Sequence, residues 1–194
     1  MKTTTKIKGK FTLRRICGYR VGRDARERLF LTLCSILCVI VLVLTSLYSR
    51  GYRINMSNSL PHWSYKINAI SDKPISRGDY VVVDYLMMED NPAIKAALER
   101  VYLGRLPMVK QVGAVSGDLV SLRDNLLYVN GEDMGAMVVL SADSLGNPLS
   151  PFPTPVTLQS GQYWLISNPD RGFDSRYFGW IERKCITHIA YPVF

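Results

Sequence analysis

The sequence predicts a mainly β fold class: a single N-terminal transmembrane helix, then a β domain with a small helical insertion. Three observations predict it. One uninterrupted apolar run of 20 residues lies near the start of the 194-residue chain. Beyond it, short β-branched runs are punctuated by glycine and Asx turn signals. A single stretch among those runs has the spacing of an amphipathic helix.

The apolar run is Leu29 to Tyr48, without a charge, proline or glycine. At about 1.5 Å per residue, 20 residues span about 30 Å, the hydrocarbon thickness of a bilayer. A cleaved signal peptide would have a shorter apolar region and a small-x-small site, and no alanine occurs between Phe30 and Asn68. A buried core helix would carry a polar stripe, which the run lacks. Residues 1–28 therefore read as a basic cytoplasmic tail, 29–48 as the transmembrane helix and 50–194 as an extracytoplasmic domain.

Charge supports that division. The tail holds ten basic and two acidic residues, so it alone accounts for the net charge of +8. A pI near 9.4 would suit a nucleic-acid binder, but the excess sits beside an apolar run, and no nucleic acid is expected. The basic side should remain in the cytoplasm, giving a single-pass protein with its domain exported. Of four cysteines, only Cys185 falls in that domain, so no disulfide within it is expected.

Within the domain, residues 79–86, 108–115, 119–122, 126–129, 162–167 and 186–194 read as strands. Asp124-Asn125 and Asn130-Gly131 are hairpin turn signals. The helix runs from Asn91, its N-cap, through Pro92 to about Val101, with Ala93, Ile94, Ala97, Leu98 and Val101 on one face. Residues 141–158, with four prolines, read as a surface loop.

Candidate chemistry is sparse. No metal-binding motif or phosphate loop occurs, and no metal or cofactor is expected. His62 lies only three positions from Ser59, an awkward geometry for a triad, and His188 falls in the last strand. A serine can instead be activated by a neutral lysine, which needs an amine held in an apolar place. Lys110 lies in a strand and shares a face with Met108 and Val112. An edge-strand lysine pointing outward fits that stretch equally well. Ser59, in Asn55-Met56-Ser57-Asn58-Ser59-Leu60-Pro61, is 11 residues past the apolar run. Its N–H and the Ser57 hydroxyl are candidate oxyanion donors. Taken alone, that segment reads more simply as a polar juxtamembrane loop. Asp174-Ser175-Arg176-Tyr177-Phe178-Gly179 offers an acid–base pair that could brace a site, or simply a surface turn.

In order along the chain, these segments resemble the signal peptidase I clan, peptidase S26. Ser57-Asn58-Ser59-Leu60-Pro61 is similar to its nucleophile segment. Arg77-Gly78-Asp79-Tyr80-Val81-Val82 is similar to its R-G-D strand. The stretch from Lys110 to Gly117-Asp118 is similar to its lysine segment, with Gln111 in place of the usual arginine. Leu127-Tyr128-Val129-Asn130-Gly131 and Asp174 to Gly179 are similar to its hairpin and its D-S-R-Y-x-G box. Asn55, the S-L-P spacing, the box from Arg171 to Gly179 and the small size resemble the TraF-type branch, the conjugative pilin peptidases.

The resemblance implies a signal-peptidase-like β domain and a serine peptidase with a Ser-Lys dyad and no cofactor. Ser59, Lys110 and Asp174 are the implied catalytic residues, Ser57 and Ser59 the oxyanion donors, and Ser175 and Arg176 the brace. It implies an exported protein substrate such as a pilin precursor, other conjugative transfer components as partners, and the bacterial inner membrane as the location. The branch is associated with joining the pilin's termini, which implies cyclisation through an acyl-enzyme. A general leader peptidase and an inactive, membrane-anchored scaffold of a secretion system would carry similar motifs. Two departures stand out. Gly172 occupies a position where other members carry a serine that helps orient the lysine, so that task passes elsewhere, with Asp174 the candidate. Pro61-His62-Trp63 departs from the branch's P-x-G-L-Y.

Overall fold

A computed structural model describes residues 25–55, 59–70, 74–88, 90–100 and 107–194. The chain divides into two compact units after Ser46. Helix α1, Ala25–Ser49, buries none of its residues and is long and apolar enough to cross a membrane. Its few polar side chains are satisfied locally. The hydroxyls of Thr32, Ser35 and Thr45 donate to the carbonyls of Arg28, Leu31 and Val41, four residues back, at 2.8–2.9 Å. A hydroxyl in hydrocarbon has no water to turn to, so this back-bonding lets Thr32, Ser35 and Thr45 sit within the apolar stretch of the helix.

The second unit is mainly β. Its strands are β1 Tyr52–Ile54, β2 Ser64–Ala69, β3 Tyr80–Val83, β4 Met108–Ala114, β5 Leu119–Arg123, β6 Leu126–Val129, β7 Glu132–Ala136, β8 Val156–Thr157, β9 Gln162–Ile166, β10 Ile181–Glu182 and β11 Ile186–Pro192. Two short helices join them, α2 Pro92–Arg100 and α3 Ser175–Phe178. One sheet has the order β1-β2-β11-β3-β4-β9-β10, the other β7-β6-β5-β8, with every pairing antiparallel.

The central strands are buried on both faces, which explains their unalternating β-branched sequence. In β3, Val81 and Val83 enter the largest core cluster, while Val82 packs on the opposite side with Leu60, Tyr65 and Ala190. Burying each of these valines is worth roughly 1.5–3 kcal/mol. In β4, Val112 joins the first cluster and Ala114 a third one, beneath the four-stranded sheet, with Trp164 and Leu127. A register shift between Val112 and Ala114 lets one strand serve both.

The two hairpin signals form as expected. Asp124, Asn125 and Asn130 all have positive φ, and they turn β5 into β6 and β6 into β7. Three of the motif segments meet at one carboxylate. Asp118 accepts from both Arg77 Nε and Nη2, from the Val115 N–H and from Asn130 Nδ2. Burial pushes the Asp118 carboxyl up, but these bonds outweigh it and hold it below its ordinary value. The R-G-D strand, the G-D turn and the Asn-Gly hairpin are thus a structural clamp.

Some sequence expectations shift. Helix α2 begins as expected, with Asn91 Oδ1 accepting from the Ala93 and Ile94 N–H groups, whereas Val101 lies outside the described residues. The run expected as a strand to Leu86 ends at Val83, and Tyr85–Met88 turn as a 3₁₀ helix. The loop at 141–158 ends in a strand, β8, which pairs with β5. β1, β2, β7 and β10 were not expected from the sequence. β1, β7 and β10 are short or largely polar edge segments with no strong apolar alternation, whereas β2, between β1 and β11, alternates Tyr65, Ile67 and Ala69 with polar residues, a strand signal missed in the sequence.

Candidate active site

Lys110 lies in β4 opposite Val81 of β3, and both side chains face the largest core cluster. Only 3 % of the residue is exposed. The alternative of an outward-pointing edge lysine is excluded, because β4 is central, with β3 and β9 on its two sides. Nζ donates to the Phe173 carbonyl at 2.7 Å. Burial lowers its pKa from 10.5 to about 8, against the opposing pull of the Asp174 carboxylate and with some help from Arg176.

The Phe173 carbonyl is held by the adjoining segment. Asp174, Ser175 and Arg176 are each at most 1 % exposed. Asp174 Oδ1 accepts from the N–H and Nε of Arg176, while Oδ2 accepts from Arg176 Nη2 and from the N–H and hydroxyl of Ser167. Arg176 spends its remaining donors on the carbonyls of Val138, Pro169, Asn168 and Gly172 at 2.6–2.9 Å. The Ser175 hydroxyl accepts from the Leu165 N–H of β9 at 2.8 Å. An ion pair this buried persists only because nearly every donor and acceptor is matched. Asp174 also caps α3 through the Arg176 N–H.

Ser59 is bonded to the start of the same segment. Its carbonyl accepts from the Asn168 N–H at 2.7 Å. Asn168 Oδ1 accepts from the N–H groups of Asp170 and Arg171, and its carbonyl from the Gly172 N–H at 2.9 Å, which closes a turn at 168–172. The short segment 168–173 therefore bonds Ser59 at its first residue and Lys110 at its last, just past the closed turn. The serine segment is also pinned at its ends: Asn55 Nδ2 donates to the carbonyls of Leu60 and His62, and Leu60 is buried. His62 packs edge-on against Tyr65 and Tyr80. Ser57, the expected oxyanion hydroxyl, lies outside the described residues.

The signal peptidase family, peptidase S26, matches the chain over residues 26–193. The chain belongs to that family. Among S26 relatives, the conjugal transfer protein TraF of Agrobacterium fabrum is 30% identical over 151 residues, covering 74% of this chain and 82% of that one. A plasmid transfer protein TraF of Escherichia coli is 32% identical over 156 residues, covering 75% and 84%. A crystal structure of a signal peptidase I from Enterococcus faecalis aligns with a TM-score of 0.39 at 20% identity, over 61% of this chain and 98% of that one. Family membership and the apolar helix together fit a membrane-anchored protein of a serine peptidase family.

Two residues around Lys110 and Asp174 make contacts that were not legible in the sequence. The contact that orients Lys110 is the Phe173 backbone carbonyl. Asp174 acts on the amine through its charge, its oxygens being bonded to Arg176 and Ser167. A backbone acceptor leaves no residue-type signal. Ser167 is the second. A Cβ at Gly172 would overlap the Ser167 hydroxyl and come within 2.7 Å of both Arg176 Nη2 and the Asn168 carbonyl. Glycine at 172 is therefore required by the packing of this turn. The one available sequence signal was a small polar residue closing the apolar run of β9.

Proposed function

We propose that this chain is a membrane-anchored serine endopeptidase of conjugative transfer, in which Ser59 is the nucleophile and Lys110 its general base. The observation that carries the reading is the burial of the Lys110 amine in a central strand, which lowers its pKa to about 8. An ordinary lysine is almost wholly charged at pH 7, whereas one at about 8 is neutral in roughly a tenth of molecules. A neutral amine can accept a proton, and burial beside the turn that bonds Ser59 is the condition such a base needs.

The chemistry then runs in two stages. The Ser59 hydroxyl gives its proton to Lys110 Nζ as its oxygen bonds to the substrate carbonyl carbon. The Ser59 N–H and the Ser57 hydroxyl stabilise the oxyanion. The Lys110 ammonium returns the proton to the leaving amine as the C–N bond breaks, and an ester on Ser59 remains. Asp174, Ser175 and Arg176 position the turn. Water then cleaves the ester, with Lys110 again taking the proton.

The TraF relatives support a substrate of a transfer system, an exported protein such as a pilin precursor. The basic tail supports an inner-membrane protein with its N-terminus in the cytoplasm and residues 50–194 in the periplasm. Processing assays with Ser59→Ala and Lys110→Ala test the dyad. Each variant is expected to abolish cleavage, and undiminished cleavage by either removes that residue from the mechanism.

An amine can replace water in the second stage. A substrate terminus held beside the ester has an effective concentration that can reach millimolar or more, and an α-amino group supplies neutral amine near pH 7. The apolar surroundings of Lys110 favour that route by limiting water. The mature substrate would then be a ring, lighter than the linear product by one water and without a free N-terminus. A linear mass alone would reject cyclisation and leave the peptidase reading standing.

A further inference from the structure

A groove of about 440 Å³ shares no residue with the candidate active site and is lined by Ser49, Arg50, Gly51, Arg53, Asn68 and His188 among others. Its volume is within the roughly 300–1,000 Å³ of ordinary ligand sites. We propose that it binds the phosphate of a phospholipid headgroup, with Arg50 and Arg53 as the anion contacts.

The groove is built by the chain's exit from α1. Ser49 is the last residue of that helix, and Gly51 turns the chain into β1 at a φ of 89°. A Cβ at Gly51 would overlap the Ile67 carbonyl, so only glycine lets the backbone pass this close to β2. The turn is fastened by the Ile67 N–H donating to the Gly51 carbonyl at 2.9 Å. Arg53 folds back over the helix end. Its guanidinium lies 3.7 Å from the centre of the Tyr48 ring, and Nη1 donates to the Tyr48 carbonyl at 2.7 Å. Nε and Nη2 are not used in those contacts. Arg50 makes no side-chain hydrogen bond or ion pair among the described residues.

The charge here is local. Residues 29–194 hold equal numbers of basic and acidic residues, so no general positive field surrounds the two arginines. Among the described residues, no carboxylate lines the groove. Two guanidinium groups without an acidic neighbour favour an anion, and their planar forks match phosphate oxygens. Asn68 and Ser49 add polar groups at the same rim.

Position selects the source of the phosphate. Arg50 is the first residue after a helix long enough to span the hydrocarbon, and Arg53 reaches back to that helix's final turn. The headgroup layer occupies about the first 5–8 Å beyond the hydrocarbon. Tyr48 has the aromatic, amphipathic character found at that level. A phosphate tethered there by its lipid is therefore present at high local concentration.

Native mass spectrometry of the full chain in detergent tests this with three probes: phosphatidylglycerol, diacylglycerol of the same acyl chains, and inorganic phosphate. The wild type should retain phosphatidylglycerol and release diacylglycerol. Arg50→Gln should weaken that retention about tenfold, as expected for the loss of one charge-assisted contact. Lys66→Gln, a nearby charge outside the groove, should leave it unchanged. Thermal melting confirms that both variants fold. Wild-type retention by Arg50→Gln overturns the proposal, as does an equal loss in Lys66→Gln. Displacement of the lipid by equimolar inorganic phosphate overturns the lipid assignment and makes this a free-phosphate site. Peptidase activity, measured separately, does not enter into either result.

Discussion

Lys110 shows how one residue can couple stability to chemistry. Its folded pKa of about 8 lies below its ordinary 10.5 because burial disfavours the ammonium. The unfolded chain therefore binds more protons than the folded one between about pH 8 and 10.5, and stability rises with pH across that window. At about 1.36 kcal/mol per pH unit the full effect is roughly 3 kcal/mol. Burial raises the Cys185 pKa, which acts in the opposite direction at similar pH, so wild type must be compared with Lys110→Met. We expect urea melts from pH 7 to 10.5 to show wild type gaining roughly 3 kcal/mol relative to Lys110→Met. A difference independent of pH would mean that the amine is not depressed in the folded state.

At the scale of elements, the segment 168–173 joins the two halves of the site, and its packing leaves no space at Gly172. Gly172→Ala should push the Ser167 hydroxyl off Asp174 and destabilise the protein by about 1–3 kcal/mol, the usual cost of overpacking. Differential scanning calorimetry would show it as a lowered Tm, and an unchanged Tm would contradict the geometry. This segment also marks where sequence reading fails. The central strands were legible because β-branched residues buried on two faces leave a continuous pattern, as in Val81–Val83. The hairpins were legible because Asp124-Asn125 and Asn130-Gly131 tolerate positive φ. The Phe173 carbonyl and the Gly172–Ser167 contact were not, since neither backbone acceptors nor steric fit are written in residue type. The motifs carried no statement of what the Arg77, Asp118 and Asn130 segments do, and they form a clamp on one carboxylate. Asp174 and Arg176, which the sequence offered as a bracing pair, form a buried ion pair.

For the whole molecule, the proposed orientation rests on the basic tail and the apolar helix. A reporter fused after Phe194 should be active only if it works outside the cytoplasm, and one fused after residue 28 only if it works inside. A C-terminal reporter active in the cytoplasm would contradict the orientation, because it would put Ser59 on the side where exported substrates are not presented.

The central claim is that Ser59 becomes a nucleophile because Lys110 is neutral and near. Labelling by an acylating, serine-directed inhibitor measures that step alone, without knowledge of the natural substrate. Peptide mass mapping should place one adduct on Ser59, with a labelling rate that rises with pH through about 8 and levels off above it. Lys110→Met should lose most of that rate and its pH dependence while remaining folded. An adduct on another serine, or labelling of Lys110→Met at the wild-type rate, would contradict the account.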